Sequence, residues 1–135
     1  MGSPHQYRNA DLSFLPSFST LVGPKPPDDF VSNGATDAPD IVWGHDLRPA
    51  AHFHDYWYSA GCFDLRLPRD EQARYEADQL FLTNLKRCGL GRLRFAYYFR
   101  VRLWGHLCFA YSLGCEPRRT VWFWIGLLLG RYVRW

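Results

Sequence analysis

Asp78 is the residue that most restricts how this chain can fold. It sits beside Ala77 in a segment whose apolar residues, Ala77, Leu80, Phe81 and Leu85, recur at helical spacing. A carboxylate on such a stripe is costly unless another polar group meets it. The fold must therefore bring a partner onto the buried face of this helix. The obvious partner is His54, in the run His54-Asp55-Tyr56-Trp57-Tyr58. On a helix His54 and Tyr58 share a face, and Asp55 is rotated from His54 by about 100°. One rigid element thus aims an imidazole and a carboxylate in different directions.

The rest of the chain arranges itself around this pair as an all-α fold. Residues 1–28 are rich in proline and serine, and Pro24, Pro26 and Pro27 exclude regular pairing. They are expected to form an extended arm lying on something else, with Phe14, Leu15 and Phe18 as anchors. Residues 29–46 are expected to be a loop that turns at Asn33-Gly34. Four helices follow in a domain spanning 29–135. The first is capped by Asp46, tolerates Pro49 in its first turn and stops at Gly61. The second starts at Pro68, with Asp70 and Glu71 at its positive end and Lys86 and Arg87 in its last turn, and stops at Gly89. The third runs from about Arg92 to Leu113, with Phe95, Phe99 and Leu103 on one face. The fourth follows Pro117 and holds the apolar run from Val121 to Leu129.

That run is much shorter than the ~20 residues a membrane-spanning helix needs. Met1 to His5 shows no basic segment leading into an apolar one, so no signal peptide is expected. With 135 residues the chain suits one domain with one core. Its 47% apolar and 18% aromatic content argues against disorder of the whole. A net charge of +3 is too mild to argue for nucleic acid, and suits an anionic surface such as a membrane or a virion wall. Cys62, Cys88, Cys108 and Cys115 have no zinc-ligand spacing and are read as mostly reduced and buried.

Chemistry concentrates in the first helix pair. Asp78 beside His54 would fix the imidazole tautomer and stabilise an imidazolium, as the carboxylate of a hydrolase triad does. No serine or cysteine sits in a nucleophile's setting, so His54 would activate water. Asp55 would hold a hard cation, with backbone carbonyls from the loop around Asn33 and Gly34. His45-Asp46 is read as a loop residue and a cap, and His52 faces away from His54. Arg87, Arg92, Arg94, Arg100 and Arg102 are read as a solvated helix face.

The pattern His-Asp-x-x-Tyr followed by Asp-x-x-Phe, carried here by His54, Asp55, Tyr58, Asp78 and Phe81, resembles the catalytic helix pair of the phospholipases A₂. That resemblance implies His54 as general base, Asp55 as calcium ligand, and Tyr58 and Asp78 as residues that hydrogen-bond the base. The phospholipase calcium loop usually reads Tyr-x-Gly-x-Gly; Gly34 is its counterpart by distance, and Val22-Gly23-Pro24 resembles it in letters farther upstream. The chain is also similar, more closely, to an uncharacterised phage-encoded family. The similarity runs through Asp29-Phe30-Val31-Ser32-Asn33-Gly34-Ala35-Thr36, the His54–Tyr58 run and Ala77-Asp78-Gln79-Leu80-Phe81, covering residues 29 to about 110.

Two function classes follow. One is a calcium-dependent phospholipid hydrolase acting on a membrane. The other is a structural component of a phage particle, a tail or head protein that keeps the helix pair as scaffold among neighbouring virion proteins. The virion or the host cytoplasm is the expected location. The C-terminal run, flanked by Arg118, Arg119, Arg131 and Arg134, is expected to mediate association with membrane or with other chains.

Overall fold

A computed structural model describes residues 6–32, 41–62, 66–117, 124–125 and 128–129. The described elements are α1 (Asn9–Leu12), β1 (Ile41–Val42), β2 (His45–Asp46), α2 (Arg48–Tyr58), α3 (Glu71–Arg87) and α4 (Arg94–Trp104), with 3₁₀ turns at Phe18–Thr20 and Gly105–Leu107. The protein is mostly helical. The stretch expected as loop contributes a short antiparallel hairpin, Ile41 opposite Asp46 and Val42 opposite His45. Its two-residue turn places Trp43 and Gly44 at φ 50° and 78°, the left-handed pair that a tight hairpin demands. The Asn33-Gly34 turn lies outside the described residues.

α2 is the central element. Nine of its eleven residues are buried, including His52, Phe53, His54, Tyr56, Trp57 and Tyr58. A helix with so many rings around its circumference needs cover on more than one side. α3 covers the side of His54 and Tyr58. The N-terminal segment covers the other. Phe18 meets Phe53 edge-on at 5.4 Å, Phe30 meets Tyr56 at 5.4 Å, and Trp57 Nε1 donates to the Pro24 carbonyl at 2.8 Å. The proline-rich stretch is therefore part of the core and not an arm awaiting a partner. Leu12 and Phe18 are buried and Leu15 half-buried, while Phe14 is exposed. Prolines exclude ladder pairing, but they leave carbonyls and rings free to pack, and those make the contact.

The helix ends differ from expectation for local reasons. α2 begins at Arg48 with Leu47 in the cap position. Asp46 sits in β2 instead, where its carboxylate accepts from the Arg48 amide at 3.0 Å and from the Arg48 guanidinium. α2 stops at Tyr58, before Gly61. α3 begins at Glu71, not Pro68, because Asp70 Oδ1 accepts from the Ala73 amide at 3.0 Å. It ends as expected at Gly89, whose φ of +98° lets the Leu90 amide reach the Leu85 carbonyl at 3.1 Å.

α4 is much shorter than the expected 92–113. After Trp104 the chain turns back over the end of α2, where the Ala110 amide donates to the Tyr58 carbonyl at 3.0 Å. Gly105 permits the turn. A Cβ there would lie 2.5 Å from the Tyr58 hydroxyl and 3.1 Å from Arg74 Nη1. Gly105→Ala is expected to cost about 1–3 kcal/mol, read as a lower urea midpoint. An unchanged midpoint would show that Tyr58 yields freely.

Arg69 locks the same region. Buried and without a carboxylate partner among the bonds described, its guanidinium donates to the carbonyls of Trp57, Cys62 and Ala110 at 2.7–2.9 Å. It thereby supplies donors to the C-terminal end of α2. All four cysteines are free thiols; Cys62 and Cys88 are buried, but Cys108 is exposed and Cys115 intermediate, which corrects the expectation of mostly buried thiols. Of the expected fourth helix only Trp124, Ile125, Leu128 and Leu129 are described, and the rest of Val121–Leu129 lies outside the described residues. No helix among the described residues is long and apolar enough to cross a membrane.

Candidate active site

α2 and α3 bring His54, Tyr58 and Asp78 together. His54 Nε2 lies 2.7 Å from Asp78 Oδ1, and the Tyr58 hydroxyl donates to the same oxygen at 2.6 Å. Because an ionised carboxylate only accepts, the hydrogen of His54 is assigned to Nε2 and the lone pair to Nδ1. The imidazole is held between rings, stacked on Phe81 at 4.3 Å and tilted against Tyr58 at 4.2 Å. Its side chain is 7% exposed. This fixes ring and tautomer together, the arrangement a general base requires.

Asp78 is fully buried and has two further partners. Arg102 Nη1 donates to Oδ2, and Arg74 Nη1 stands 3.5 Å from the same oxygen. Arg102 corrects the sequence reading, which placed it on a solvated face. On α4 the buried positions are Tyr98 and Arg102, and Phe95 and Phe99 point outward. Arg74 escaped notice altogether, although its position four residues before Asp78 on one helix was a legible signal. Glu71 completes the cluster: it accepts from Arg74 Nε and Nη2 at 3.0 and 2.9 Å and from the Tyr111 hydroxyl. Two carboxylates, buried Asp78 and half-buried Glu71, thus face two guanidiniums, and the set is neutral when His54 is neutral.

The ionisation of the cluster follows from these partners. Burial opposes a charge on Asp78, but the hydrogen bond and charge of His54 and the charges of Arg102 and Arg74 outweigh it. The carboxyl is held below its ordinary value. Burial, then the charge of Asp78, pushes the Tyr58 phenol well above its usual range, so it stays a donor.

A second buried polar network was missed by the sequence reading. His52, on the side of α2 away from His54, is fully buried. Its Nε2 donates to Asn9 Oδ1 at 2.7 Å and its Nδ1 pairs with Ser32 Oγ at 2.5 Å. Asn9 Nδ2 in turn donates to the Pro26 carbonyl at 2.7 Å. This network holds the N-terminal segment in place, and no periodicity in that segment announces it.

Asp55 lies on α2 at intermediate burial. Its proposed companions Asn33 and Gly34 lie outside the described residues. Calcium takes 6–8 oxygen ligands, and among the described residues no group of three or more His, Cys, Asp or Glu is placed to hold a metal ion. The described side chains do not by themselves fit a calcium site. Val22-Gly23-Pro24 packs elsewhere, with Val22 bonded through its amide and carbonyl to the buried Asn84 side chain, and Gly23 against Trp57.

Compared with known proteins, the chain matches no family model, no curated protein and no solved structure.

Proposed function

We propose that this protein is a phospholipase A₂-like hydrolase of phospholipid esters, with His54 as general base. The observation that carries this reading is the His54–Asp78 pair with Tyr58 on the same carboxylate oxygen. Water placed at Nδ1 would lose a proton to His54 as it attacks the acyl carbonyl, and the imidazolium would face the Asp78 carboxylate. The proton would then pass to the leaving alkoxide. Tyr58 keeps Asp78 aimed at Nε2. Calcium enters this reading through Asp55, with Asn33 and Gly34.

The test is release of fatty acid from phosphatidylglycerol vesicles, with and without millimolar calcium. The wild type is expected to release it and His54→Gln to lose that activity. Asp55→Asn should abolish any calcium dependence, and any calcium-induced rise in melting temperature with it. No hydrolysis by the wild type in either condition, or equal hydrolysis by His54→Gln, would remove the enzyme reading.

A specific observation favours a second reading. Arg74 and Arg102 already share the charge of Asp78, which weakens the help it can give an imidazolium. The same cluster joins α2, α3 and α4. A structural component of a phage particle, within the virion or assembled in the host cytoplasm, would use it as a staple. On that reading His54→Gln changes stability alone.

A further inference from the structure

We propose that the outward face of α4 is a docking surface for an anionic lipid bilayer. This helix is apolar on both sides: Tyr97 and Val101 pack inward against the core, and a second apolar face is left to solvent. Its buried residues are Tyr98 and the charged Arg102. Its solvent side carries Phe95, Ala96, Phe99, half-buried Leu103, Arg100 and Trp104. Phe95, Phe99 and Trp104 are 39%, 44% and 55% exposed. Spaced at 100° per residue, these six span about half the helix circumference. A soluble surface helix places its charges outward and its rings inward, so a strip of exposed rings on the solvent side, here with Arg100 between Ala96 and Trp104, marks a contact surface. The surface continues past the helix: the Trp104 ring lies 5.3 Å from that of Trp124, and Ile125, Leu128 and Leu129 are exposed.

Charge selects the occupant. Residues 79–115 contain six lysines and arginines and no aspartate or glutamate. Lys86, Arg87, Arg92 and Arg100 are exposed, and the Arg94 guanidinium stacks over Phe95 at 4.5 Å. A second copy docked symmetrically on this face would set Arg94 and Arg100 of one chain against those of the other. A phosphate-bearing lipid surface supplies the missing charge, while the rings enter the acyl boundary and the long basic side chains reach up to the headgroups. The partner is the same lipid class as the substrate proposed above, but the surface stands on α4 alone and does not require His54 to be active.

The test uses the full chain in calcium-free buffer with chelator, as wild type and as His54→Gln. It measures co-sedimentation with vesicles of phosphatidylcholine alone and of phosphatidylcholine with phosphatidylglycerol. Both proteins are expected to bind the mixed vesicles, to release them at high salt, and to bind pure phosphatidylcholine at least about tenfold more weakly. Phe95→Ser with Phe99→Ser should lower binding about tenfold or more while leaving the circular dichroism unchanged, because both rings lie outside the core. Arg94→Glu with Arg100→Glu should abolish the preference for phosphatidylglycerol. Absence of wild-type binding would overturn the proposal, and so would undiminished binding by the Phe95/Phe99 variant. It would also fall if the chain sediments as a dimer that the same variant converts to monomer, or if an acidic polypeptide binds as tightly and protects both rings. Vesicle binding that persists while hydrolysis is absent would separate this surface from the enzymatic reading.

Discussion

Asp78→Asn will destabilise the protein by about 3–5 kcal/mol, the range for breaking a buried ion pair from one side. The loss is large because the carboxylate is the common acceptor for His54, Tyr58, Arg74 and Arg102, all of them buried. Asparagine is nearly isosteric, so no cavity contributes. What remains is two guanidiniums out of water with Glu71 as the single compensating carboxylate in the cluster. A fall in melting temperature of roughly 10 °C or more is expected. Arg102→Met should cost less, since Asp78 then retains Arg74, His54 and Tyr58. If Asp78→Asn and Arg102→Met melt alike, the carboxylate is not the hub of the cluster.

The second large effect is acid destabilisation through His52. Burial lowers its pKa from 6.5 to about 4 in the folded protein, and the charge of Asp11 offsets this in part. Between those values the unfolded chain binds a proton that the folded chain refuses. Stability is therefore full above pH 6.5 and is lost as pH falls toward 4, by about 2–3 kcal/mol. The structural cause is the pairing of both ring nitrogens, Nε2 as donor to Asn9 and Nδ1 as acceptor from Ser32. A proton on Nδ1 removes that acceptor inside the protein. Urea midpoints at pH 7.5 and 4.5 should differ more in the wild type than in His52→Gln, which has no titrating ring. Equal differences in the two proteins would assign the acid sensitivity to other groups. Asp78 contributes in the same direction at lower pH. Its depressed carboxyl adds stability above the ordinary aspartate value, and that stability goes as pH falls through its folded value.

The two networks also bear differently on function. The His52 network anchors the N-terminal segment over the aromatic side of α2. The Asp78 network holds α2, α3 and α4 at the site. Activity of an Asp78 variant therefore has to be compared at a temperature where it is folded, whereas His54→Gln leaves the arginines paired with the carboxylate.

The helix pair was legible in the sequence because its signals are local. Asp70, Glu71, Lys86, Arg87 and Gly89 mark the ends of α3 by capping and dipole chemistry that acts within a few residues. His54 and Tyr58 share a face through the helical repeat alone, and Asp78 on its apolar stripe demanded a polar partner, which the fold supplies in His54. Tertiary structure decided what local rules do not reach. Arg102 was indistinguishable in sequence from the exposed Arg100 until the packing of α4 on α3 took one inward and left the other out. The same packing left Phe95 and Phe99 exposed, because the face of α4 that meets α3 is the one carrying Tyr98 and Arg102, where Tyr98 meets Gln79 and Arg102 meets Asp78. The N-terminal stretch had no period to read. Its place was set by the carbonyl of Pro24 and the side chain of Asn9 meeting Trp57 and His52, groups separated from them by more than thirty residues of chain.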